Sequence, residues 1–215
     1  MAKVISIEEA VDLIKDGMTI MVAGFWGVGT PEKLIDALVA KGTKNLTSIS
    51  ISTALTTKGV GKLVANRQLK KVIVSYIGRN PATSEQYESG DLEVEFVPQG
   101  TLAERIRAGG FGLGGILTPT GVGTEIEQGK QRITVDGRDY LLEKPLRADV
   151  ALIKAYKADK AGNLVYRKAA RNTNPLMAAA ADITIVQADE ILEIGEIDPD
   201  EVMTPGIFVD YLVQG

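Results

Sequence analysis

The chain has 215 residues and a formal net charge of −4, with 45% hydrophobic and 24% charged residues, an ordinary globular balance with enough length to bury a sizeable core. It contains no cysteine and no histidine, which excludes disulfides, thiolate chemistry, Ser-His-Asp and Cys-His machinery, and the commonest transition-metal ligand. Any nucleophile is therefore a carboxylate, a hydroxyl or a lysine, or it comes from another polypeptide. No basic stripe marks a nucleic-acid or anionic-membrane surface, the apolar runs are too short to span a bilayer, and "MAKVISIEEAVDLI" turns acidic too early for a signal peptide. The expectation is a cytoplasmic chain with neither nucleic acid nor membrane among its partners.

Taken in order, Ser6 with Glu9 forms a capping box that opens a helix over about 7–15. Residues 18–23 read as a strand, and Thr30 and Pro31 stand at the preferred N-cap and N1 positions of a second helix, closed by Gly42. "NLTSISIS" at 45–52 and "KVIVSYI" at 71–77 read as strands joined by a helix over about 60–66. "LEVEFV" at 92–97 is a further strand, followed by the helix "TLAERIRAGG", which its glycines stop. This alternation predicts an α/β fold: a mostly parallel sheet with helices on both faces, and ligands at the carboxyl ends of its strands. Two stretches follow strands and so face that end: the loop Gly24–Gly29 and the segment Pro98–Gly100.

The later part changes character. "QRITVDGRDYLLE" is two alternating runs about Asp136-Gly137, a hairpin signal, and "DVALIKAYKADKAGNLVYR" reads as a second antiparallel pair about Ala161-Gly162-Asn163. "NPLMAAAAD" is a short helix, "ITIVQAD" a strand, and the remainder is irregular until "IFVDYLV". With no internal repeat and no linker, residues 1–215 read as a single domain carrying antiparallel hairpin elaborations.

Three glycine clusters compete as ligand loops. Gly110, Gly112 and Gly115 match G-x-G-x-x-G but follow a helix, whereas a dinucleotide fingerprint follows a strand. "GVGTEIEQG" at 121–129 lacks the lysine of a P-loop and reads as turns between short elements. The first cluster, Gly24, Gly27 and Gly29, lets a ligand or another backbone approach closely, and the helix after Pro31 offers its N-terminus to an anion. From the residues alone, a tight strand–helix turn explains that loop equally well. Phe25 and Trp26 point further, to a pocket wall or a subunit interface.

"DGMTIMVAGFWGVGTP", Asp16 to Pro31, resembles the signature of the α-type subunit of the family I CoA-transferases, with Ala23 in place of the first glycine of the usual Gly-Gly-Phe. Further similar stretches follow in order, among them "SYIGRNP", "GDLEVEFVPQGTLAERIRAGGFGLGG", "LTPTGVGTEIEQGK" and "GNLVYRKAARNTNPLMAAAAD". The likeness covers nearly the whole chain. It implies the CoA-transferase/sugar-phosphate isomerase-like fold and transfer of CoA between a short-chain acyl-CoA and a carboxylic acid such as acetate, butyrate, acetoacetate or a similar 3-oxoacid. Coenzyme A enters as substrate, and no permanently bound cofactor or metal is implied. The nucleophile of such enzymes is a glutamate, which is consistent with a chain lacking histidine and cysteine. In this family it lies in a Ser-Glu-Asn-Gly segment of the β-type half, and no such segment occurs here. The resemblance therefore implies a β-type partner, in an α2β2 or higher assembly.

Within this chain the resemblance assigns oxyanion stabilisation to Gln99 of "VPQGTL". It places Gly24, Phe25, Gly27, Gly29, Ser52, Gly112 and Leu113 as candidate substrate or CoA contacts. Glu127 in "EQG" has a Glu-x-Gly form but matches an ordinary α-subunit stretch. Many relatives carry Asn-Asn or Asn-Asp where Ile51 and Ser52 stand. The related fold leaves a sugar-phosphate isomerase or ligand-sensing domain, with phosphate at the Gly24–Gly29 loop, as the alternative.

Overall fold

In the computed structural model, which describes residues 1–215, the apolar runs assemble into a nine-stranded sheet and a smaller three-stranded one. The large sheet is built from β1 (Lys3–Val4), β2 (Thr19–Val22), β3 (Leu46–Ile49), β4 (Leu69–Val74), β5 (Glu93–Phe96), β9 (Ala148–Asp159), β11 (Ala181–Leu192) and β12 (Tyr211–Gln214). Their order is β1-β12-β11-β9-β2-β3-β4-β5, every neighbouring pair is parallel, and β10 (Leu164–Val165) joins β9 antiparallel. In the small sheet, β6 (Ile116–Thr118), β8 (Arg138–Glu143) and β7 (Gln131–Val135) are antiparallel, and β7 and β8 form the hairpin expected about Asp136-Gly137.

Helices α1 (Ile7–Asp12), α2 (Glu32–Lys41), α3 (Val60–Ala65) and α4 (Pro81–Glu88) cover one face of the large sheet, and α5 (Gln99–Gly110) and α6 (Asn174–Ala179) cover the other. The two-residue period of β2 sorts its side chains between these layers. Ile20 and Val22 pack with Leu34, Ile35 and Leu38 of α2, while Met21 and Ala23 join Leu102 and Ile106 of α5 and Met177 of α6. Each fully buried Leu or Ile of these two cores contributes about 1.5–3 kcal/mol. No helix is long and apolar enough to cross a membrane.

The structure adds the short strands β1 and β6 to the sequence reading and ends α1 at Asp12; four further departures say more. First, the capping box of Ser6 and Glu9 is formed, but α2 starts at Glu32, with Pro31 at the N-cap and no side-chain cap from Thr30. Second, α4 has no counterpart in the sequence reading. Its residues, PATSEQYE, bury only Thr83 and Gln86, so no apolar period announces it; the local signal is Asn80, whose side chain accepts from Thr83 N–H, followed by Pro81. Third, the pair expected about Gly162 is mostly not a hairpin. β9 lies between β11 and β2 as an interior parallel strand, and only Leu164 and Val165 turn back onto it. The run Val150–Ile153, buried throughout, is the mark of a strand covered on both faces. Fourth, α5 begins at Gln99 itself, two residues before the expected start.

Candidate active site

The carboxyl ends of β2, β3, β4 and β5 open onto a cleft of about 730 Å³. Phe25, Trp26 and Val28 come from the loop after β2, and Ile51 from the end of β3. Ser75, Tyr76 and Arg79 follow β4, Gln99 opens α5, and Ala169 and Asn172 close the rim from the segment before α6. The lining contains no aspartate or glutamate. Elsewhere, no group of His, Cys, Asp and Glu side chains in the chain could hold a metal ion.

The glycine loop is shaped by its own packing. Phe25 and Val28 exchange two backbone hydrogen bonds of 3.0 Å, and Trp26 and Gly27 between them both have positive φ, 50° and 93°, as in a type I′ turn. A tryptophan in the left-handed region costs about 1–2 kcal/mol. The Phe25 and Trp26 rings stack with centroids 5.2 Å apart, and the Arg79 guanidinium sits 5.0 Å from the Trp26 ring centroid, contacts that offset that strain. A Cβ on Gly24 would overlap Thr30 Oγ1 and press on Thr30 N at 2.8 Å, and one on Gly29 would meet Ala170 O at 2.5 Å. These two glycines are required by close approach within the chain. The first-turn N–H groups of α2 are also engaged: Gln187 Oε1, from β11, accepts from Lys33 and Leu34 at 3.0 and 3.4 Å. The anion site considered at this helix N-terminus is occupied by a side chain of the protein itself.

Gln99 is exposed at the first position of α5. No side chain caps that helix, so its free N–H groups leave partial positive charge at the floor of the cleft. The Gln99 amide lies against Ser75, with Oε1 2.6 Å from Ser75 Oγ. Asn172 ties the rim to the turn by donating Nδ2–H to Val28 O at 2.9 Å. Beneath it the fully buried Asn174 donates to Gly29 O (3.0 Å) and Ala170 O (2.7 Å) and accepts Lys154 N–H (2.8 Å).

Of the residues singled out in the sequence, Gln99 and Phe25 line this cleft and Gly24, Gly27 and Gly29 shape its wall. Ser52 is buried with its hydroxyl accepting from Ala54 N–H at 3.2 Å, and its neighbour Ile51 lines the cleft instead. Gly112 and Leu113 follow the far end of α5, about 18 Å from Gln99 along a helix of that length, and are not brought to the cleft. Glu127 is half-buried outside it, where Gly123 N–H and a two-pronged pair with Arg132 (2.7 Å each) hold its carboxyl below the usual range. Glu93 and Glu95 on β5 pair with Lys71, and Glu95 also with Arg105. Ser75, Tyr76, Arg79 and Asn172 were not singled out. For Ser75, Tyr76 and Arg79 the signal is position alone, at the carboxyl end of a strand that stops at Val74; Asn172 has no local signal.

A profile described as Coenzyme A transferase matches residues 4–215. Over 211 residues the chain is 53% identical to the acetate CoA-transferase subunit alpha of Escherichia coli (strain K12), covering 98% of this chain and 96% of that one. It is 52% identical over 213 residues to the acetoacetyl-CoA:acetate/butyrate CoA transferase alpha subunit of Clostridium acetobutylicum, covering 99% and 98%. Among solved structures, an acyl-CoA transferase from Escherichia coli O157:H7, in a thioester complex with CoA, superimposes with a TM-score of 0.86 at 24% identity. That match, a likeness of fold, spans 100% of this chain and 47% of the other.

Proposed function

The chain belongs to the coenzyme A transferase family as an α-type subunit, and from that premise we propose that its cleft forms one wall of an acyl-transfer site completed by a β-type subunit. One observation carries this reading. The cleft gathers apolar walls and hydrogen-bond donors, but its lining holds no carboxylate, and the chain has no cysteine or histidine to serve as nucleophile. A cleft equipped to stabilise charge and lacking a carboxylate nucleophile is what a shared active site requires of one partner, since the Ser75 and Tyr76 hydroxyls have no carboxylate or histidine base beside them in the lining.

In the proposed reaction a glutamate carboxylate of the β-type subunit attacks the thioester carbonyl of the acyl-CoA. The tetrahedral intermediate expels CoA thiolate and leaves a mixed acyl-glutamyl anhydride. The thiolate then attacks the glutamyl carbonyl, releasing the first carboxylic acid as its carboxylate and forming an enzyme glutamyl-CoA thioester. An acceptor carboxylate runs the same steps in reverse and departs as the new acyl-CoA. Atoms balance without water, metal or redox partner. Each step passes through an oxyanion, which Gln99 Nε2–H meets as a preorganised donor, reinforced by the uncapped N-terminus of α5.

Phe25, Trp26 and Tyr76 suit a short apolar acyl chain. The proposed acids are acetate, butyrate and acetoacetate, a choice supported by the names of the two relatives above. An α2β2 or higher assembly, a cytoplasmic setting and coenzyme A as a substrate belong to the same proposal. The sugar-phosphate alternative loses its anion site to Gln187.

The test is Gln99→Ala in the enzyme assembled with its β-type subunit. A donor of this kind is worth about 10²–10³ in kcat. A loss under about threefold with intact assembly removes Gln99 from the mechanism.

A further inference from the structure

Ser75 Oγ stands 2.6 Å from Gln99 Oε1 and 2.7 Å from Ile51 O. A serine hydroxyl carries one proton and can donate to only one of them at a time. The Ile51 carbonyl already accepts Ser75 N–H at 3.0 Å, so it is satisfied without the hydroxyl. With the proton directed to Gln99, Oε1 is engaged and Nε2 is turned away from Ser75, toward the open side of the cleft. With the proton directed to Ile51, Oγ becomes an acceptor. The amide then turns over to donate Nε2–H to it and presents Oε1 to the substrate, where it repels a developing oxyanion. The two orientations occupy the same volume and differ only in what they offer the reacting carbonyl.

We propose that Ser75 is a positioning residue whose hydroxyl, donated to Gln99 Oε1, holds the amide with its N–H groups facing the reacting carbonyl. This rests on the reading of Gln99 as the oxyanion donor. Both backbones are fixed for the task. Ser75 is pinned to Ile51 just past the end of β4, and Gln99 is held between Pro98 and the first turn of α5, where Leu102 N–H reaches Pro98 O at 2.8 Å. Ser75 is half-buried, which limits the water that could replace its hydroxyl beside Oε1.

The experiment is a mutant cycle in the enzyme assembled with its β-type subunit. Ser75→Ala lowers kcat about tenfold, the worth of one neutral hydrogen bond, with KM for acyl-CoA within about twofold of the parent. Ser75→Thr, which keeps the hydroxyl, recovers activity to within about threefold, and Ser75→Ala adds nothing in a Gln99→Ala background. If Ser75→Ala does not assemble, Ser75→Thr and Ser75→Val, matched in shape, give the same comparison. An equal loss from the Ser75 change whether or not Gln99 is present overturns the positioning role. So does full activity in Ser75→Ala or Ser75→Val alongside a large loss in Gln99→Ala. A Gln99→Ala variant that keeps its activity instead overturns the assignment of Gln99.

Discussion

Asn174 is where the two loops that wall the cleft meet the sheet, and its replacement by alanine is the most informative test of how the site is assembled. In β9, Leu152 faces β2, since its carbonyl accepts Ala23 N–H. Lys154, two residues on, therefore presents its N–H on the same side, past the last paired residue of β2, Val22. Asn174 Oδ1 fills that vacant ladder position at 2.8 Å, while Nδ2 holds Gly29 O and Ala170 O. Asn174→Ala removes three hydrogen bonds at a site with no solvent exposure. At about 1 kcal/mol for each group left unpaired, the loss is about 3 kcal/mol. For a chain of this size that corresponds to a Tm lower by about 6–12 °C. The single tryptophan, Trp26, lies in the turn that Asn174 supports and reports the transition by fluorescence, at one fixed protein concentration. A shift under about 2 °C would refute the reasoning, because it would mean that the loops find other partners at no cost.

Two further predictions concern the scaffold. Gly24→Ala forces a Cβ onto Thr30 at φ +108°, whereas Gly112→Ala, also at positive φ (+69°), meets open space. The first costs about 3 kcal/mol and the second about 1 kcal/mol, and equal thermal shifts for the pair would contradict the packing role given to Gly24. For Glu95, burial raises the carboxyl pKa, but hydrogen bonds from Lys71 and Arg105 outweigh it and hold the pKa below the usual value. A depressed carboxylate adds stability that is present above the unfolded value of about 4.3 and is lost as pH falls through the folded one. Glu95→Gln should therefore flatten the fall in Tm between pH 5 and pH 3, and an unchanged slope would remove this pair from the acid response.

Much of the scaffold is legible in the residues because its signals are local. The capping box of Ser6 and Glu9, the short apolar run of β2 and the Asp136-Gly137 turn each need only a few neighbours. The parallel core strand β9 was hidden by a real turn at Gly162 that pairs only two residues. The helix α4 was hidden because it buries polar rather than apolar side chains. At the site, Gln99 stood out through its place after a strand and through the family resemblance. Ser52 faces inward because the chain bends at Ile51 before Ser52 pairs with Tyr76, and the direction of a side chain past a strand end is set by tertiary contacts. Ser75 and Asn174 act across separations of 24 and 145 residues, and no spacing rule connects such positions. The glycine loop was ambiguous for the same reason: Thr30 and Ala170, the groups that need Gly24 and Gly29 to be small, are identified only once the chain has folded.

The division of labour between two polypeptides is tested most directly by trapping the covalent intermediate. The chain assembled with its β-type subunit is incubated with acyl-CoA, reduced with borohydride, and each subunit is digested and mapped by mass spectrometry. The account predicts CoA-dependent modification of one glutamate of the β-type subunit, an unmodified α chain, and no CoA transfer by the α chain alone. A modified glutamate in this chain, at Glu127 or elsewhere, would contradict it.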